Sequence, residues 1–394
     1  MKDKRILTIQ DVSCVGQCSL TVALPILSAC GVETCILPSA VLSTHTGGFK
    51  GFTFRDLTDD MPKIEAHWVA EKILFDAVYT GYLGSVRQID YVKDIMDKTL
   101  LPGGKKIVDP AMADNGKLYV GFDDAFVEHM KELCGYADII LPNITEACFL
   151  TGTEYRGESQ DKKYVEDLLG KLGELGAKTV VLKGLSDEKG KLGNAVYDVQ
   201  TENVQFYYSV RIDRNSHGTG DCFASAFTGA LMRGRSMIDA VHLAADFVVE
   251  CIRKTMDDED HWYGVKFEKA LPVLISGLNE SRQEEAAKQV RPGRKEYVID
   301  GNHFDDLNGF YDEIYRVMTK KEMWGPDMGH NLNSFNDILR GGFGKHAYGE
   351  PIRITWKNFG KSREELGPET AERILEIISH GQEDHDCLLV LTED

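Results

Sequence analysis

Asp138-Ile139-Ile140-Leu141-Pro142-Asn143-Ile144-Thr145-Glu146 is one instance of a pattern that sets the fold of most of this chain. Its apolar run, Asp138–Leu141, shows no in–out alternation, so the strand it predicts must be covered on both faces. The chain then leaves through polar Asn143 and Glu146. The same unit recurs on either side. Non-alternating apolar runs stand at Arg5–Ile9, Cys35–Val41, Ala77–Tyr79, Lys106–Val108 and Thr179–Leu182. Between them lie segments of helical period such as Ala125–Leu133 and Val165–Leu175. Strands apolar on both faces and separated by helices predict a parallel sheet with helices on both sides. Asn194–Val199 and Val204–Val210 alternate more and are joined by Gln200-Thr201-Glu202-Asn203, which predicts an antiparallel hairpin at one edge.

Each predicted strand runs into polar or glycine-rich residues. Asp11 follows the first, Ser43-Thr44-His45-Thr46-Gly47-Gly48 the second and Thr80-Gly81-Tyr82-Leu83-Gly84-Ser85 the third. Asp109-Pro110 with Asp114 follows the fourth, Asn143 with Glu146 the fifth and Lys183-Gly184 the sixth. Open α/β sheets bind ligands at the carboxyl ends of their strands, so the series predicts a binding crevice there. The sharpest motif is Asn215-Ser216-His217-Gly218-Thr219-Gly220-Asp221, which opens a helix. Two glycines around a small hydroxyl residue let backbone N–H groups turn toward one point, and the helix adds its positive end. Such a loop suits a phosphate whose charge is moving. Asp221 at its lip is placed to take a proton from a hydroxyl.

Gly218-Thr219-Gly220-Asp221, with Asn143-Ile144-Thr145-Glu146 upstream, resembles the ribokinase-like superfamily of small-molecule kinases. Ser43-Thr44-His45-Thr46, Thr80-Gly81-Tyr82-Leu83-Gly84-Ser85 and Val108-Asp109-Pro110-Ala111-Met112 look like the pyridoxal (pyridoxine, pyridoxamine) kinase family. The resemblance covers about residues 4–275, with the motifs in family order. It implies a three-layer α/β/α sandwich with a mostly parallel sheet. It also implies ATP-dependent phosphorylation of the 5′-hydroxymethyl group of a B6 vitamer, with Mg²⁺ and a monovalent cation such as K⁺. Asp221 would be the catalytic base, and Gly218, Thr219 and Gly220 the anion hole. Asn143 and Glu146 would organise Mg²⁺ and its waters, and Asp109, a second metal candidate, would sit with Asp114 beside the phosphates or the monovalent cation. Thr46 and Tyr82 would contact the pyridine ring, and Lys183 falls where the family meets the nucleotide. His45 reads either as a pocket residue or as a histidine held for structure. Where the family often has Ser against the ring nitrogen, this chain has Asp11. A hydroxymethylpyrimidine is the competing substrate, and a catalytically silent kinase domain that carries a binding module is the reading outside enzymology. Family members are commonly homodimers.

A polar stretch before Pro292-Gly293 marks a break. It predicts a kinase-like domain over 1–285, a linker over 286–294 and a second domain over 295–394. Strands are expected at Tyr297–Ile299, Ile352–Trp356 and Cys387–Leu391, and helices at Asp305–Met318, Asn331–Leu339 and Pro368–Ser379. Tyr297-Val298-Ile299-Asp300-Gly301, Asn331–Leu339, Ile352–Phe359 and Cys387–Leu391 resemble barstar, the inhibitor of barnase-type ribonucleases. That resemblance implies a short parallel sheet and a basic ribonuclease as partner. Asp337 would be a principal acidic contact beside Asn336, with Asn333 where another carboxylate is usual. The alternative is a solvated acidic helix on a fold kept for other reasons.

Charge fits this division. The 394 residues carry 45 Lys and Arg against 63 Asp and Glu, a formal −18. Residues 295–394 hold 11 basic and 20 acidic side chains, about threefold more net charge per residue than the rest. So acidic a chain argues against nucleic acid as a partner and suits a basic protein. Nine cysteines without a CxxC pair read as reduced thiols of a cytoplasmic protein. The N-terminal segment lacks the apolar core of a signal peptide, and no apolar stretch reaches membrane-spanning length.

Overall fold

The computed structural model describes residues 4–157, 160–186, 191–212, 214, 216–279, 294–320, 329–342, 345–348, 350–380 and 387–392. The chain divides into two compact units, Met1–Glu280 and Ser281–Asp394. Of the linker expected over 286–294, only Arg294 lies within the described residues. Asn215 of the glycine-rich motif also lies outside them.

In the first unit the strands are β1 (Arg5–Ser13), β2 (Glu33–Leu42), β3 (Phe54–Asp56), β4 (Phe75–Thr80) and β5 (Leu100–Val108). They are followed by β6 (Ala113–Asp114), β7 (Lys117–Leu118), β8 (Ile139–Ile140), β9 (Thr179–Ser186), β10 (Leu192–Asp198) and β11 (Asn203–Ser209). Nine of them form one sheet among the described residues, in the order β11-β10-β9-β8-β5-β4-β1-β2-β3. The six that were legible as apolar runs are parallel to one another. β10 and β11 make the expected antiparallel hairpin, with β10 also antiparallel to β9. β3 adds antiparallel to β2 at the opposite edge, and β6 and β7 pair separately.

The lack of alternation has its cause in the packing. Leu7 and Ile9 point into one apolar cluster and Ile6 into another on the opposite face, all with 0% exposure. The strand order reverses around β1, which has β2 on one side and β4 on the other. Such a reversal opens a crevice between strand ends; Asp11 lies at the register shift near the end of β1, which runs on to Ser13, and Tyr82 follows β4.

In the second unit β12 (Lys295–Asp300), β13 (Ile352–Lys357) and β14 (Cys387–Leu391) form a parallel sheet in chain order. The helices Leu307–Met318, Leu332–Arg340 and Pro368–His380 stand where the periodicity put them, and Phe359–Leu366 adds one more. That added helix follows Asn358 in the left-handed region at φ 52° and buries only Ser362 and Leu366. Its pattern is therefore too sparse to read. Trp356, fully buried, centres the core; it stacks on Phe310 at 5.3 Å, and its Nε1 donates to Ser362 Oγ at 3.0 Å. Among the described residues no helix is long and apolar enough to cross a membrane.

Candidate active site

The glycine loop is fixed by one close approach. Gly218 sits at φ 78°, and a Cβ there would lie 1.7 Å from the Gln17 carbonyl oxygen, so only glycine fits. The helix Thr219–Met232 starts on it. Gly220 has nothing within 4 Å of its would-be Cβ, so the loop opens at that point onto free space. Asp221 lies in the first turn of this helix, partly buried, and its Oδ2 accepts the Ser19 N–H at 3.0 Å. Ser19 makes that contact from a left-handed backbone at φ 55°, a strained conformation for a non-glycine residue. Burial pushes the Asp221 carboxyl up to about 7, with the Asp109 and Asp11 charges adding and the Ser19 N–H and Lys183 opposing.

Beside it lies a buried cluster of charges from the ends of three neighbouring strands. Lys183, in the second half of β9, which runs on past the expected end at Leu182, donates to both oxygens of Asp109 at 3.0 and 2.8 Å. Burial works against the lysine's charge, but Asp109 and Glu146 lift its pKa above the ordinary value. Burial raises the Asp109 carboxyl, and Lys183 holds it back. Glu146 is pushed up to about 8 by burial and then by Asp109. Asn143 and Glu146 form a capping box: Glu146 N–H donates to Asn143 Oδ1 at 2.9 Å, and Asn143 N–H to Glu146 Oε2 at 2.7 Å. Asn143 Nδ2 also donates to Ala113 O at 3.0 Å, which ties the β6–β7 hairpin to the site. Asp114 stands on that hairpin, exposed, with its Oδ1 accepting the Asn115 N–H.

The opposite wall comes from β1, β2 and β4. Asp11 is buried and accepts the Ser13 hydroxyl at 2.9 Å; burial raises its pKa. Tyr82 stacks on Phe122 at 5.5 Å, and its phenol is raised by burial and then by the Asp11 charge. His45 is buried and spends both ring nitrogens on backbone. Gly47 N–H donates to Nδ1 at 3.0 Å, so Nε2 carries the proton and donates to Tyr263 O at 2.7 Å. This neutral tautomer is the structural role that the sequence left open for His45, and only ring carbons remain for a ligand. Thr46 next to it is exposed.

Several contributors escaped the sequence. Trp262 packs against Phe49 at 4.6 Å and over Gly48, and so staples the loop after β2 to residues 258–264. Arg214 donates to the carbonyls of Thr255, Met256 and Asp258 at 2.6–2.9 Å, which anchors the approach to the glycine loop on the end of the helix Met237–Thr255. Asn143-x-x-Glu146 was a readable capping-box signal. Nothing local announces Arg214 or the Ser19 backbone.

No group of three His, Cys, Asp or Glu side chains among the described residues is arranged to hold a metal ion by itself. Yet Asp109, Glu146 and Asp221 face one ammonium, Lys183, and the carboxyls of Glu146 and Asp221 are raised by burial first and by neighbouring carboxylates after it, so three acidic groups share one positive charge. That imbalance fits a divalent cation that keeps most of its waters and takes the rest of its ligands from phosphates, as Mg²⁺ does.

In the second unit Asn333, Asn336 and Asp337 share one side of the helix Leu332–Arg340. Asp337 is exposed and accepts from Arg340 Nη1 at 3.3 Å. The two charges of this helix cancel, so the acidity of the domain lies elsewhere on its surface.

The phosphomethylpyrimidine kinase family model matches residues 24–265, over half of the chain, and the barstar (barnase inhibitor) model matches residues 294–390. The hydroxymethylpyrimidine/phosphomethylpyrimidine kinase of Bacillus subtilis (strain 168) is 31% identical over 222 residues, 55% of this chain and 78% of the relative. A candidate phosphomethylpyrimidine kinase from Bacteroides thetaiotaomicron VPI-5482, crystallised with pyridoxal, is 39% identical with a TM-score of 0.66, over 69% of this chain and 96% of that one. Pyridoxal kinase from Lactobacillus plantarum is 32% identical with a TM-score of 0.64, over 69% and 97%. The chain belongs to the phosphomethylpyrimidine kinase family, within the ribokinase-like kinases related to pyridoxal kinase, and carries a barstar domain behind its kinase domain.

Proposed function

We propose that this chain phosphorylates the 5′-hydroxymethyl group of a B6 vitamer with ATP. The observation that carries the reading is Asp221, held by Ser19 N–H at the mouth of an open glycine loop, with its carboxyl pushed to about 7. A base poised near neutrality combines the ionised form with driving force for taking a proton. One carboxylate oxygen stays on Ser19 and the other takes the hydroxyl proton. The N–H groups of Gly218, Thr219 and Gly220 and the helix behind them stabilise the phosphoryl group in transit, where positioning and charge do most of the work. Lys183, fixed by Asp109, supplies positive charge on the phosphate side. Glu146 and Asp109 would hold Mg²⁺ through its waters, and the metal would neutralise phosphate charge. Asp109 and Asp114 would sit beside the phosphates or a monovalent cation.

On the substrate side Asp11 and Tyr82 bracket the space for the ring, with Thr46 at its rim. The pyridoxal in the 39% identical structure supports a B6 ring as occupant. A second reading keeps the mechanism and exchanges the substrate for hydroxymethylpyrimidine, supported by the Bacillus subtilis relative. For the barstar domain we propose a basic ribonuclease as partner, bound at Asn333, Asn336 and Asp337.

ATP-dependent phosphorylation of pyridoxal, pyridoxine, pyridoxamine and hydroxymethylpyrimidine by the full chain tests this. Turnover of a B6 vitamer is expected. Turnover of hydroxymethylpyrimidine alone establishes the second reading, and failure on all four overturns both.

A further inference from the structure

β1 carries a buried charge that the described residues leave without a counter-ion. Asp11 is 5% exposed, and Ser13 Oγ donates to its Oδ2 at 2.9 Å. The Ser19 hydroxyl and Asp11's own N–H are further neutral donors; burial raises the carboxyl and these donors hold it back. The one imidazole near it, His45, spends both ring nitrogens on backbone and stays uncharged. Among the described residues no ion pair reaches Asp11, whereas Asp109 in the same site has Lys183. Pairing of β1 with β4 ends at Ile9 and Thr80, and the register against β2 shifts between Gln10 and Val12. Asp11 thus stands beyond the last β4 partner, where the strand order reverses. Tyr82, after β4, and Asp221 both lie within reach of its charge.

Buried charges in folded proteins are paired or meet a metal, so a lone carboxylate in the wall of a binding crevice points to a positive group on the ligand. We infer that Asp11 receives the protonated ring nitrogen of the substrate and thereby selects a hydroxypyridine over an aminopyrimidine. The inference rests on the kinase reading proposed above. A 3-hydroxypyridine gives up its phenolic proton more readily than its ring proton, so near neutral pH the nitrogen carries N–H⁺. An aminopyrimidine has a second nitrogen that draws electrons and makes the ring a weaker base. Its neutral nitrogen offers a lone pair, which an ionised carboxylate repels.

The chemistry of the ring agrees with the placing of the two carboxylates. In a B6 vitamer the ring nitrogen lies two bonds from the carbon that bears the reacting hydroxymethyl group. A carboxylate on the opposite wall, yet within electrostatic reach of Asp221, is placed to hold the nitrogen while Asp221 meets the hydroxyl. A carboxylate on a pyridinium nitrogen is also the pairing with which proteins hold pyridoxal phosphate as a cofactor. Shielded from water, it is a charge-assisted hydrogen bond of the stronger kind. The Tyr82–Phe122 stack offers both rings the same apolar face, so discrimination falls to Asp11.

The test uses the full chain as wild type, Asp11→Asn and Asp11→Ser. In calorimetric titration both variants should bind pyridoxine about 10- to 100-fold more weakly. Hydroxymethylpyrimidine should bind each variant at least as well as the wild type. Equal losses for the two ligands, or no loss for pyridoxine, overturn the inference. Phosphorylation assays on the same samples separate it from the reading beneath. A wild type that turns over a B6 vitamer, with its preference over hydroxymethylpyrimidine unchanged in Asp11→Asn, refutes the role of Asp11 alone. A wild type that turns over no B6 vitamer refutes the kinase reading and the inference with it. A second measurement needs no ligand. Asp11 is faced by Ser13 on β1, Cys18 and Ser19 ahead of the helix Leu20–Ala29, His45 after β2, Tyr82 after β4 and Asp221, none of them cationic at pH 8. Its raised pKa means that the ionised group costs the free fold stability as pH rises, so Asp11→Asn should melt about 1–4 °C above the wild type at pH 8. A variant that melts below the wild type shows a carboxylate already paired within the chain and overturns the inference. Stabilisation of the wild type by K⁺ that Asp11→Asn abolishes overturns it in favour of a metal cation.

Discussion

Two pairs of opposite charge, one in each unit, use the same residue types to different effect. Lys183 and Asp109 meet inside the kinase unit, with side chains only 11% and 5% exposed. Arg340 and Asp337 meet on the barstar helix, at 29% and 57%. In the first pair, loss of water turns charge into chemistry. Carboxyls around Lys183 rise, Asp221 reaches about 7, and the whole group becomes sensitive to each member. In the second pair, water screens both partners, and an exposed ion pair contributes little to stability. The comparison teaches that a carboxylate's neighbours in space, and not the acidity of its domain, decide what it can do. The barstar domain carries most of its negative charge away from the helix that would meet a nuclease.

The comparison can be broken most decisively at Lys183. Lys183→Met strands Asp109 and Glu146 without their cation, and removing one partner of a buried pair typically costs about 3–5 kcal/mol. Denaturant unfolding should show that loss; a loss near zero would mean the cluster is hydrated after all. Next comes Gly218→Ala, which drives a Cβ into the Gln17 carbonyl from a left-handed backbone. A cost of about 1–3 kcal/mol and a displaced glycine loop are expected, read as a lower melting temperature together with a lower kcat.

A smaller effect sharpens the point about burial. Asp221 has a folded-state pKa of about 7, above the ordinary carboxylate value, so the folded chain binds the extra proton between about pH 4 and 7. Stability from this group is therefore present at low pH and lost as pH rises through 7. Asp221→Asn should melt above the wild type at pH 8 and close to it at pH 4. Equal melting at both would contradict the buried-charge picture. The smallest effect belongs to the other pair: Asp337→Ala should leave unfolding of the second unit within about 0.5 kcal/mol. If a basic ribonuclease binds this domain, the same change should weaken binding by a few kcal/mol; an unchanged affinity removes Asp337 from the interface.

What could be read from the sequence follows the same physical line. Strands buried on both faces announce themselves, because Ile139-Ile140 or Thr179–Leu182 have no polar face to confuse them. The loops at their ends were legible for the same reason: polar residues directly after such runs stand out. β3, β6 and β7 were missed because pairs or triplets of residues carry no period. β5 starts at Leu100, well before the apolar run at Lys106, because Pro102-Gly103-Gly104 reads as a break. Glu146 was legible as a charge following a strand, and the Asn143-x-x-Glu146 spacing carries its capping box as well. Ser19 and Arg214 act through backbone geometry and carbonyls distant in sequence, which no local pattern records. His45 could not be settled from sequence, since its role depends on the Tyr263 carbonyl 218 residues away.

The central claim is that Asp221 removes the substrate proton. Single-turnover phosphorylation by Asp221→Asn, beside the wild type and with ATP binding measured on the same samples, tests it most directly. The account predicts turnover lower by about 10²–10⁴-fold with ATP still bound. Normal turnover in that variant would contradict it.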